Sequence, residues 1–237
     1  MTTPAAASAS PPRRAGGRAA VVCVCGLHGG AGTTTTAVLL AHAAAAHSHP
    51  GDILLSEADP HGGGLALHLG ARSPDSLHTL ASHPHGAHPW TDSHGARLIA
   101  PAPSIAAPAT QAQLAAAVDE LAAIHRLIVL DAGPIASPHA QHALEHADLV
   151  LWSIDATTQP AAAAHTLASP LTRAARRAPG ALVAHATGRD GLTPPATQIA
   201  ALLPGLRGLA LVPRLGALAA HDPARAHAAR DLLELLQ

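Results

Sequence analysis

Lysine, asparagine, phenylalanine and tyrosine do not occur anywhere in this chain of 237 residues. The absence of lysine excludes Schiff-base chemistry, and the absence of tyrosine also excludes a tyrosine–lysine proton relay. Tryptophan occurs only as Trp90 and Trp152. A hydrophobic core must therefore be built from alanine, leucine, valine and isoleucine, whose close packing replaces the volume that aromatic rings usually supply.

Strong bases and cysteines are also scarce. Arginine is the only strong base, and the formal net charge is −1 at pH 7. This balance gives no general attraction to nucleic acid or to anionic lipid, so it disfavours a free-standing DNA-binding protein. The only cysteines, Cys23 and Cys25, lie two residues apart in a predicted strand. That spacing is poor for a disulfide, so we predict two buried thiols and a cytoplasmic protein.

Long uninterrupted apolar segments are missing as well. No stretch reaches the roughly eighteen strongly apolar residues that a transmembrane helix requires, so we expect no membrane segment. Residues 1–19 are rich in alanine, proline, serine and glycine. This composition predicts a disordered leader rather than a signal peptide. Residues 20–237 have the length of a single large α/β domain.

The most informative stretch is GLHGGAGTTTT, at residues 26–36, between a short apolar run and an alanine- and leucine-rich segment. This order predicts a strand, a glycine-rich loop and a helix. Glycines allow successive backbone N–H groups to turn toward one point, where the positive end of the helix dipole also points, so a phosphate fits there. In the full P-loop pattern, G-x-x-x-x-G-K-[ST], the hydroxyl corresponds to Thr34, but Thr33 stands in place of the lysine.

The loop resembles the deviant Walker A motif of the MinD/ParA family of P-loop NTPases, x-K-G-G-x-G-K-[ST]-[ST]. His28 falls on the family's additional signature lysine and Thr33 on the Walker lysine, so the motif is degenerate. The resemblance implies ATP and Mg²⁺ as cofactors, with their loss as the alternative. The residues that would hold the nucleotide are Gly29, Gly30, Ala31, Gly32, Thr33, Thr34 and Thr35.

Two predicted strands end next to acidic residues. Residues 52–57 lead into Asp59, and residues 126–130 lead into Asp131. In an open parallel sheet, the carboxyl ends of the strands form the crevice in which ligands bind. An apolar strand that ends in aspartate is also the Walker B arrangement, in which the carboxylate holds the magnesium shell.

The resemblance gives these acidic residues roles. The family's D-x-D-P segment corresponds to the stretch from Glu57 to Pro60, which implies that Asp59 is catalytic and acts on magnesium and on the attacking water. The implied magnesium ligands are Thr34, Asp59 and Asp131. The alternative for Asp59 is an N-cap of a helix that begins near Leu65. Where the family commonly has an adenine-reading asparagine, this chain has His185 or a neighbour.

The alternation of apolar runs with helical patterns predicts an α/β fold, a doubly wound, mainly parallel sheet of about seven strands flanked by helices. The predicted strands are residues 21–25, 52–57, 97–100, 126–130, 149–154, 181–186 and 209–212. The predicted helices are residues 34–46, 76–81, 108–124, 138–147, 160–177 and 224–237, with one more that begins near Leu65.

Histidines are concentrated in residues 68–95, between the second and third predicted strands. The members of this group are His68, His78, His83, His85, His88 and His94. No cysteine lies nearby, and the spacing matches no common zinc pattern. We therefore interpret the stretch as a solvated loop rather than as a metal site.

Three functions remain open. The loss of charge-stabilising lysines costs a phosphoryl-transfer site several powers of ten in rate, so the first is a scaffold that binds nucleotide weakly and does not hydrolyse it. The sequence looks most like the CpaE/TadZ-like and septum-site-determining-like actinobacterial members of the family. This implies a positioning role in a pilus, secretion, partition or division assembly, through a protein partner or a homodimer.

The second function is a slow ATPase whose missing cation is His28 or an arginine from a partner or a second subunit. The third is a Rossmann-type dinucleotide-binding enzyme. Glu57 closes the second predicted strand at about the right distance for an acidic residue that binds a ribose. The glycine loop, however, does not contain the pattern G-x-G-x-x-G.

Overall fold

The computed structural model describes residues 17–59, 64–70, 75–82, 90–100, 110–155, 178–186, 200–201, 203, 205–213 and 223–237. The strands are β1 Ala20–Gly26, β2 Ile53–Glu57, β3 Trp90–Thr91, β4 Arg97–Ile99, β5 Leu127–Pro134, β6 Leu149–Asp155, β7 Gly180–Ala186 and β8 Leu206–Pro213. The helices are α1 Thr33–Ala45, α2 Gly64–Leu69, α3 Leu77–Ser82, α4 Gln111–Ile124, α5 Pro138–Glu145 and α6 Pro223–Glu234.

The described strands form one sheet of eight, in the order β3-β4-β2-β5-β1-β6-β7-β8. The seven strands other than β3 pair in parallel, and β3 pairs antiparallel with β4 at one edge. The predicted parallel sheet of about seven strands is therefore confirmed, and β3 is an additional strand that the sequence does not predict. The predicted helix at residues 160–177 lies outside the described residues.

Both faces of the sheet are covered, which explains why its strands are continuous apolar runs. In β1, Val21 and Cys23 pack in one core cluster, whereas Val22 and Val24 pack in the other. Helices α3, α4 and α5 cover the first face, and α1, α2 and α6 cover the second. Because helices cover both faces, the loops that follow the strands meet at the carboxyl edge of the sheet.

Small aliphatic side chains dominate the core, as the composition predicts. Trp152 is fully buried among them, at 0 % exposure. Cys23 and Cys25 are also fully buried free thiols, which confirms that prediction. Burial raises the pKa of both cysteine thiols above the usual range. Ala19, which the sequence assigns to the leader, is buried and donates its N–H group to the Ala122 carbonyl at 2.9 Å.

The histidine-rich stretch at residues 68–95 is only partly described, and its interpretation as a solvated loop is wrong for His78. This residue lies on α3 and is 5 % exposed. Beyond β3, the ring of His94 stacks on the ring of His42 of α1, with 4.0 Å between the centroids. His42 Nε2 lies 2.6 Å from the Asp92 carboxylate, which ties this turn to α1. Three further histidines, His83, His85 and His88, lie outside the described residues.

His125 follows α4 at the amino-terminal edge of the sheet and makes stability depend on pH. The residue is 2 % exposed, and its Nδ1 lies 2.8 Å from the Gly51 carbonyl oxygen. Burial lowers the pKa of His125 below its usual value of 6.5. The unfolded chain binds a proton near that usual value. The unfolded state is therefore favoured as the pH falls through about 6.5 toward the lower pKa of the folded protein.

We expect His125→Asn to flatten this pH dependence. Asparagine keeps an N–H group that can donate to Gly51 but binds no proton in this pH range. The free energy of unfolding, measured with urea, should fall less steeply for the variant than for the wild type below neutral pH. At mildly alkaline pH the two proteins should differ little. If the free energies of unfolding of the two proteins change with pH in parallel, His125 is not the cause of the pH dependence.

Candidate functional site

Residues 27–32 form the loop between β1 and α1 at the carboxyl edge of the sheet. Neighbouring strands hold this loop from both sides. The hydroxyl group of Ser153 in β6 donates to the Ala31 carbonyl at 2.6 Å. On the other side, the N–H group of Ile135, just after β5, donates to the Gly26 carbonyl at 2.8 Å. Because β1 lies between β5 and β6, the loop position is determined by both of its neighbours.

The tip of the loop is open. Gly29 and Gly30 are exposed, and a Cβ atom on either would meet no atom within 4 Å. Gly30 and Gly32 have φ angles of 79° and 83°, in the left-handed region that glycine adopts without steric cost. His28 is half-buried beside them. Exposed backbone N–H groups next to open space are what an anion-binding loop needs.

A second reason for glycine at position 32 is the close approach of His185, near the end of β7. A Cβ atom on Gly32 would collide with the imidazole ring. His185 Nε2 also lies 2.8 Å from the hydroxyl oxygen of Thr36, in the first turn of α1. The ring is 5 % exposed. His185 therefore packs where the loop becomes the helix and holds the two together.

Helix α1 begins at Thr33 with four threonines and no acidic residue in its first turn. Gly32 supplies no side-chain cap, so the first N–H groups of this 13-residue helix remain available to an anion. Thr33 is 8 % exposed and its hydroxyl oxygen lies close to Gly26. The hydroxyl group of Thr34 lies near the Asp131 carboxylate and stabilises its charged form. The helix start thus combines a positive dipole end with a hydroxyl group beside a carboxylate.

Asp131 of β5 is in register with Glu57, the last residue of β2. Burial raises the pKa of Asp131, while the Thr34 hydroxyl and the Gly133 N–H group, at 3.3 Å, stabilise its charged form. Burial, together with the charge of Asp131, raises the pKa of Glu57 to about 7. Two adjacent buried carboxyl groups disfavour being charged at the same time, so the pair favours a nearby cation.

Glu57 also caps α2. Its carboxylate accepts hydrogen bonds from the N–H groups of Gly64, at 3.1 Å, and Leu65, at 3.4 Å. The sequence alternative placed such a cap at Asp59, whereas in the structure Glu57 supplies it. In the alternative of a Rossmann-type enzyme, the same Glu57 carboxylate would have to bind the ribose of the dinucleotide, but here it is bonded to α2. Asp59 is half-buried, and its charge contributes to the raised pKa of both Glu57 and Asp131, so the three carboxyl groups lie near one another.

Mg²⁺ fits the chemistry of these oxygen donors. Proteins usually bind it through one or two carboxylates, with substrate phosphates and water completing the shell. Thr34, Asp59 and Asp131 offer a hydroxyl group and two carboxylates on this edge of the sheet. Within the described ranges, no three His, Cys, Asp or Glu side chains are arranged to hold a metal by themselves. A magnesium ion here would therefore depend on phosphate oxygens.

The sheet topology brings the predicted loop, Thr34, Asp59 and Asp131 to the same edge. Two residues that shape this edge, Ser153 and His78, are missed by the sequence predictions. His185, which the resemblance places where the family commonly has an adenine-reading asparagine, contacts Thr36 in the structure. Ser153 and His185 do leave a signal, because each is a polar residue near the carboxyl end of an apolar strand. His78 lies in the stretch interpreted as a solvated loop and leaves no comparable signal.

Solved structures of MinD/ParA ATPases and of a synthase have the same fold. A complex of Cyanothece McdA with ATP aligns with a TM-score of 0.67 and 16 % identity, over 92 % of this chain and 96 % of that chain. Cobyrinic acid a,c-diamide synthase from Mycobacterium smegmatis, with an ATP analogue and magnesium, gives 0.70 and 17 %, over 91 % and 93 %. The Pyrococcus furiosus cell division ATPase MinD gives 0.66 and 17 %, over 92 % and 96 %.

The chain therefore has the α/β fold of the MinD/ParA-type P-loop ATPases, as the resemblance of its loop predicts. The similarity is one of architecture, since sequence identity to these structures is 15–17 %. No protein-family model and no curated protein matches the sequence. In the part of the chain that the structure describes, every helix is too short or too polar to cross a membrane.

Proposed function

We propose that this chain is a MinD/ParA-family scaffold or positioning protein that binds ATP and Mg²⁺ weakly and does not hydrolyse ATP. The observation that carries the proposal is the open glycine loop at the start of α1, with the Thr34 hydroxyl group and the in-register carboxyl groups of Glu57 and Asp131 beside it. These groups support a magnesium site like that of a P-loop, while Thr33 stands where the P-loop pattern has a lysine that contacts the outer phosphates. This combination should allow ATP and magnesium to bind but should slow the transfer of the phosphoryl group.

The parts that bind are supported by the geometry of the described residues. The proposed nucleotide ligands are the loop and helix start, Gly29, Gly30, Ala31, Gly32, Thr33, Thr34 and Thr35, and the proposed magnesium ligands are Thr34, Asp59 and Asp131. Helix N-terminal N–H groups and the dipole favour phosphate without any lysine. Magnesium, when bound, would neutralise phosphate charge beside the carboxyl groups.

The parts that accelerate phosphoryl transfer are missing. Positively charged donors stabilise the charge that develops on the transferring phosphoryl group, and losing one such donor commonly costs a hundredfold or more in rate. The chain contains no lysine, and the positions of both loop lysines are taken by His28 and Thr33. We therefore assign Asp59 a magnesium-binding role, with a catalytic role only if turnover occurs.

Calorimetric titration with ATP, in magnesium and in EDTA, tests the proposal. We expect binding that is stronger with magnesium. Thr34→Ala should weaken the magnesium-dependent binding by about tenfold or more, because it removes a proposed magnesium ligand, and a polar contact with a charged group contributes roughly 1.5–3 kcal/mol. Thr34→Ser keeps the hydroxyl group and is the matched control, so it should bind nearly as the wild type does. A folded wild-type protein that takes up no ATP would contradict the nucleotide site.

A slow ATPase is the second candidate, and the position of His28 favours it. The ring is half-buried at the open tip of the loop, where a cation could contact a phosphate. An arginine from a partner or from a second subunit is the other source of positive charge. This candidate requires turnover that Asp59→Ala abolishes, whereas the scaffold proposal requires no turnover under any partner condition.

The cellular role follows only from the kind of protein that has this fold. Solved neighbours include a cell division ATPase, MinD, and a ParA-family ATPase. We propose positioning within a pilus, secretion, partition or division assembly, with a protein partner or a homodimer. We also propose one domain over residues 20–237, because β8 and α6 pack with β1 around the same sheet, and a leader before it.

A further inference from the structure

We propose that His78 is a positioning residue that orients the acidic turn carrying Asp59. The proposal rests on the proposed magnesium role of that turn. His78 comes from α3, about twenty residues further along the chain, and its Nε2 lies 2.9 Å from the carbonyl oxygen of Ala58 in this turn. Ala58 is the residue between Glu57 and Asp59.

The backbone at Ala58 is held on both of its sides. Its N–H group donates to the Asp131 carbonyl at 2.9 Å, and its carbonyl accepts from the His78 ring. Each peptide group is planar, so fixing an N–H and the following C=O fixes the two planes on either side of one Cα atom. The second plane contains the nitrogen of Asp59. Its orientation sets the position of the Asp59 Cα atom, from which the side chain leaves the backbone.

The histidine itself has little freedom. It is 5 % exposed, and its ring meets the ring of His139 on α5 edge to face, with 5.8 Å between the centroids. Helix α5 follows Asp131 closely, after β5 and a short turn. The ring is therefore supported by the element that continues from the second acidic strand. A single side chain thus links the turn after β2 to the segment after β5.

A buried histidine that only satisfies a backbone carbonyl would matter for stability alone, and His125 provides that comparison. It is buried to a similar degree, and its Nδ1 contacts the Gly51 carbonyl at 2.8 Å. It lies before β5, at the opposite edge of the sheet from the loop. Replacing either histidine should lower the free energy of unfolding by a similar amount, because each loses one hydrogen bond and similar packing. Only the replacement of His78 should also weaken the binding of ATP in magnesium.

The test compares His78→Leu, which fills the space without donating, with His78→Gln, whose side-chain N–H can reach the same carbonyl. His125→Leu is the matched control. If His78→Leu does not fold, His78→Asn replaces it, because the asparagine side chain is too short to reach the Ala58 carbonyl. Calorimetry gives the ATP dissociation constant in magnesium and in EDTA. Hydrogen exchange reports the backbone at residues 57–59 in the full-length protein.

We expect His78→Leu to weaken binding of ATP in magnesium by about fivefold, the value of one hydrogen bond, with little change in EDTA. Exchange at residues 57–59 should accelerate by a similar factor. His78→Gln should restore both, and His125→Leu should change neither. Faster exchange without loss of the magnesium effect would make His78 a structural residue only and overturn the proposal, as would unchanged exchange.

Failure of the nucleotide site is distinguishable from failure of this inference. If the folded wild type takes up no ATP, the proposed function fails and the hydrogen-exchange comparison decides the positioning role. Faster exchange at residues 57–59 in His78→Leu, restored in His78→Gln and absent in His125→Leu, would still support it. Equal exchange in all of these proteins would refute it.

Discussion

Gly32→Ala should lower the free energy of unfolding by about 2–5 kcal/mol, because two separate costs add. The φ angle of 83° lies in the left-handed region, where a Cβ atom costs roughly 1–2 kcal/mol. The new Cβ would also collide with the His185 ring, and forcing extra atoms into a packed site costs about 1–3 kcal/mol. Urea-induced unfolding measures the sum.

Gly30 and His185 allow the two costs to be separated. Gly30 has a φ angle of 79° but open space around its Cβ position, so Gly30→Ala should carry only the backbone cost of about 1–2 kcal/mol. In a His185→Ala background, Gly32→Ala should cost about the same amount, which gives a coupling energy of roughly 1–3 kcal/mol. If Gly32→Ala is no more costly than Gly30→Ala in the wild type, the histidine does not constrain the loop.

The parallel strands are the part of the fold that the sequence predicts well. Runs such as LVLWSI and LIVL are apolar over their whole length because helices cover both faces of the sheet, and such runs stand out in a chain that is rich in alanine and glycine. Strand β3 is different. It contains only Trp90 and Thr91, which is too short for any periodicity, and it exists through antiparallel backbone pairing with β4.

The contacts that shape the site are the part that the sequence does not reveal. Gly32 and His185 are more than 150 positions apart in the chain and meet because β7 lies beyond β6 from β1. A glycine motif indicates a phosphate loop but not which side chain packs against it. Glu57 shows the same limit, since an acidic residue at a strand end can hold a cation, bind a ribose or cap a helix. In the structure, Glu57 accepts hydrogen bonds from the first N–H groups of α2.

The absence of lysine from the whole chain does not by itself explain why position 33 is a threonine. Arginine occurs 14 times in this chain, and an arginine at position 33 would have placed a positive charge at the loop. A threonine stands there instead, packed near Gly26. The proposed site thus offers hydroxyl and carboxylate groups but no charged donor at position 33, and this supports the proposed binding role over hydrolysis.

Thr33→Lys should therefore raise the affinity for ATP with magnesium by about tenfold to a hundredfold. A lysine at the start of α1 adds a charged donor for phosphate oxygens, and hydrogen bonds of that kind contribute roughly 1.5–3 kcal/mol. Thr33→Met is the matched control, because it has a long unbranched side chain, no charge and the same loss of packing near Gly26. Calorimetric titration at low and high salt measures both effects.

The gain should shrink as ionic strength rises, since salt screens an exposed charge. If the lysine also restores turnover, a further Asp59→Ala substitution should abolish it, because the same carboxylate would then act on magnesium and water. Equal affinity of the lysine and methionine variants would show that no phosphate lies near position 33. That result would contradict the proposed nucleotide site at the start of α1.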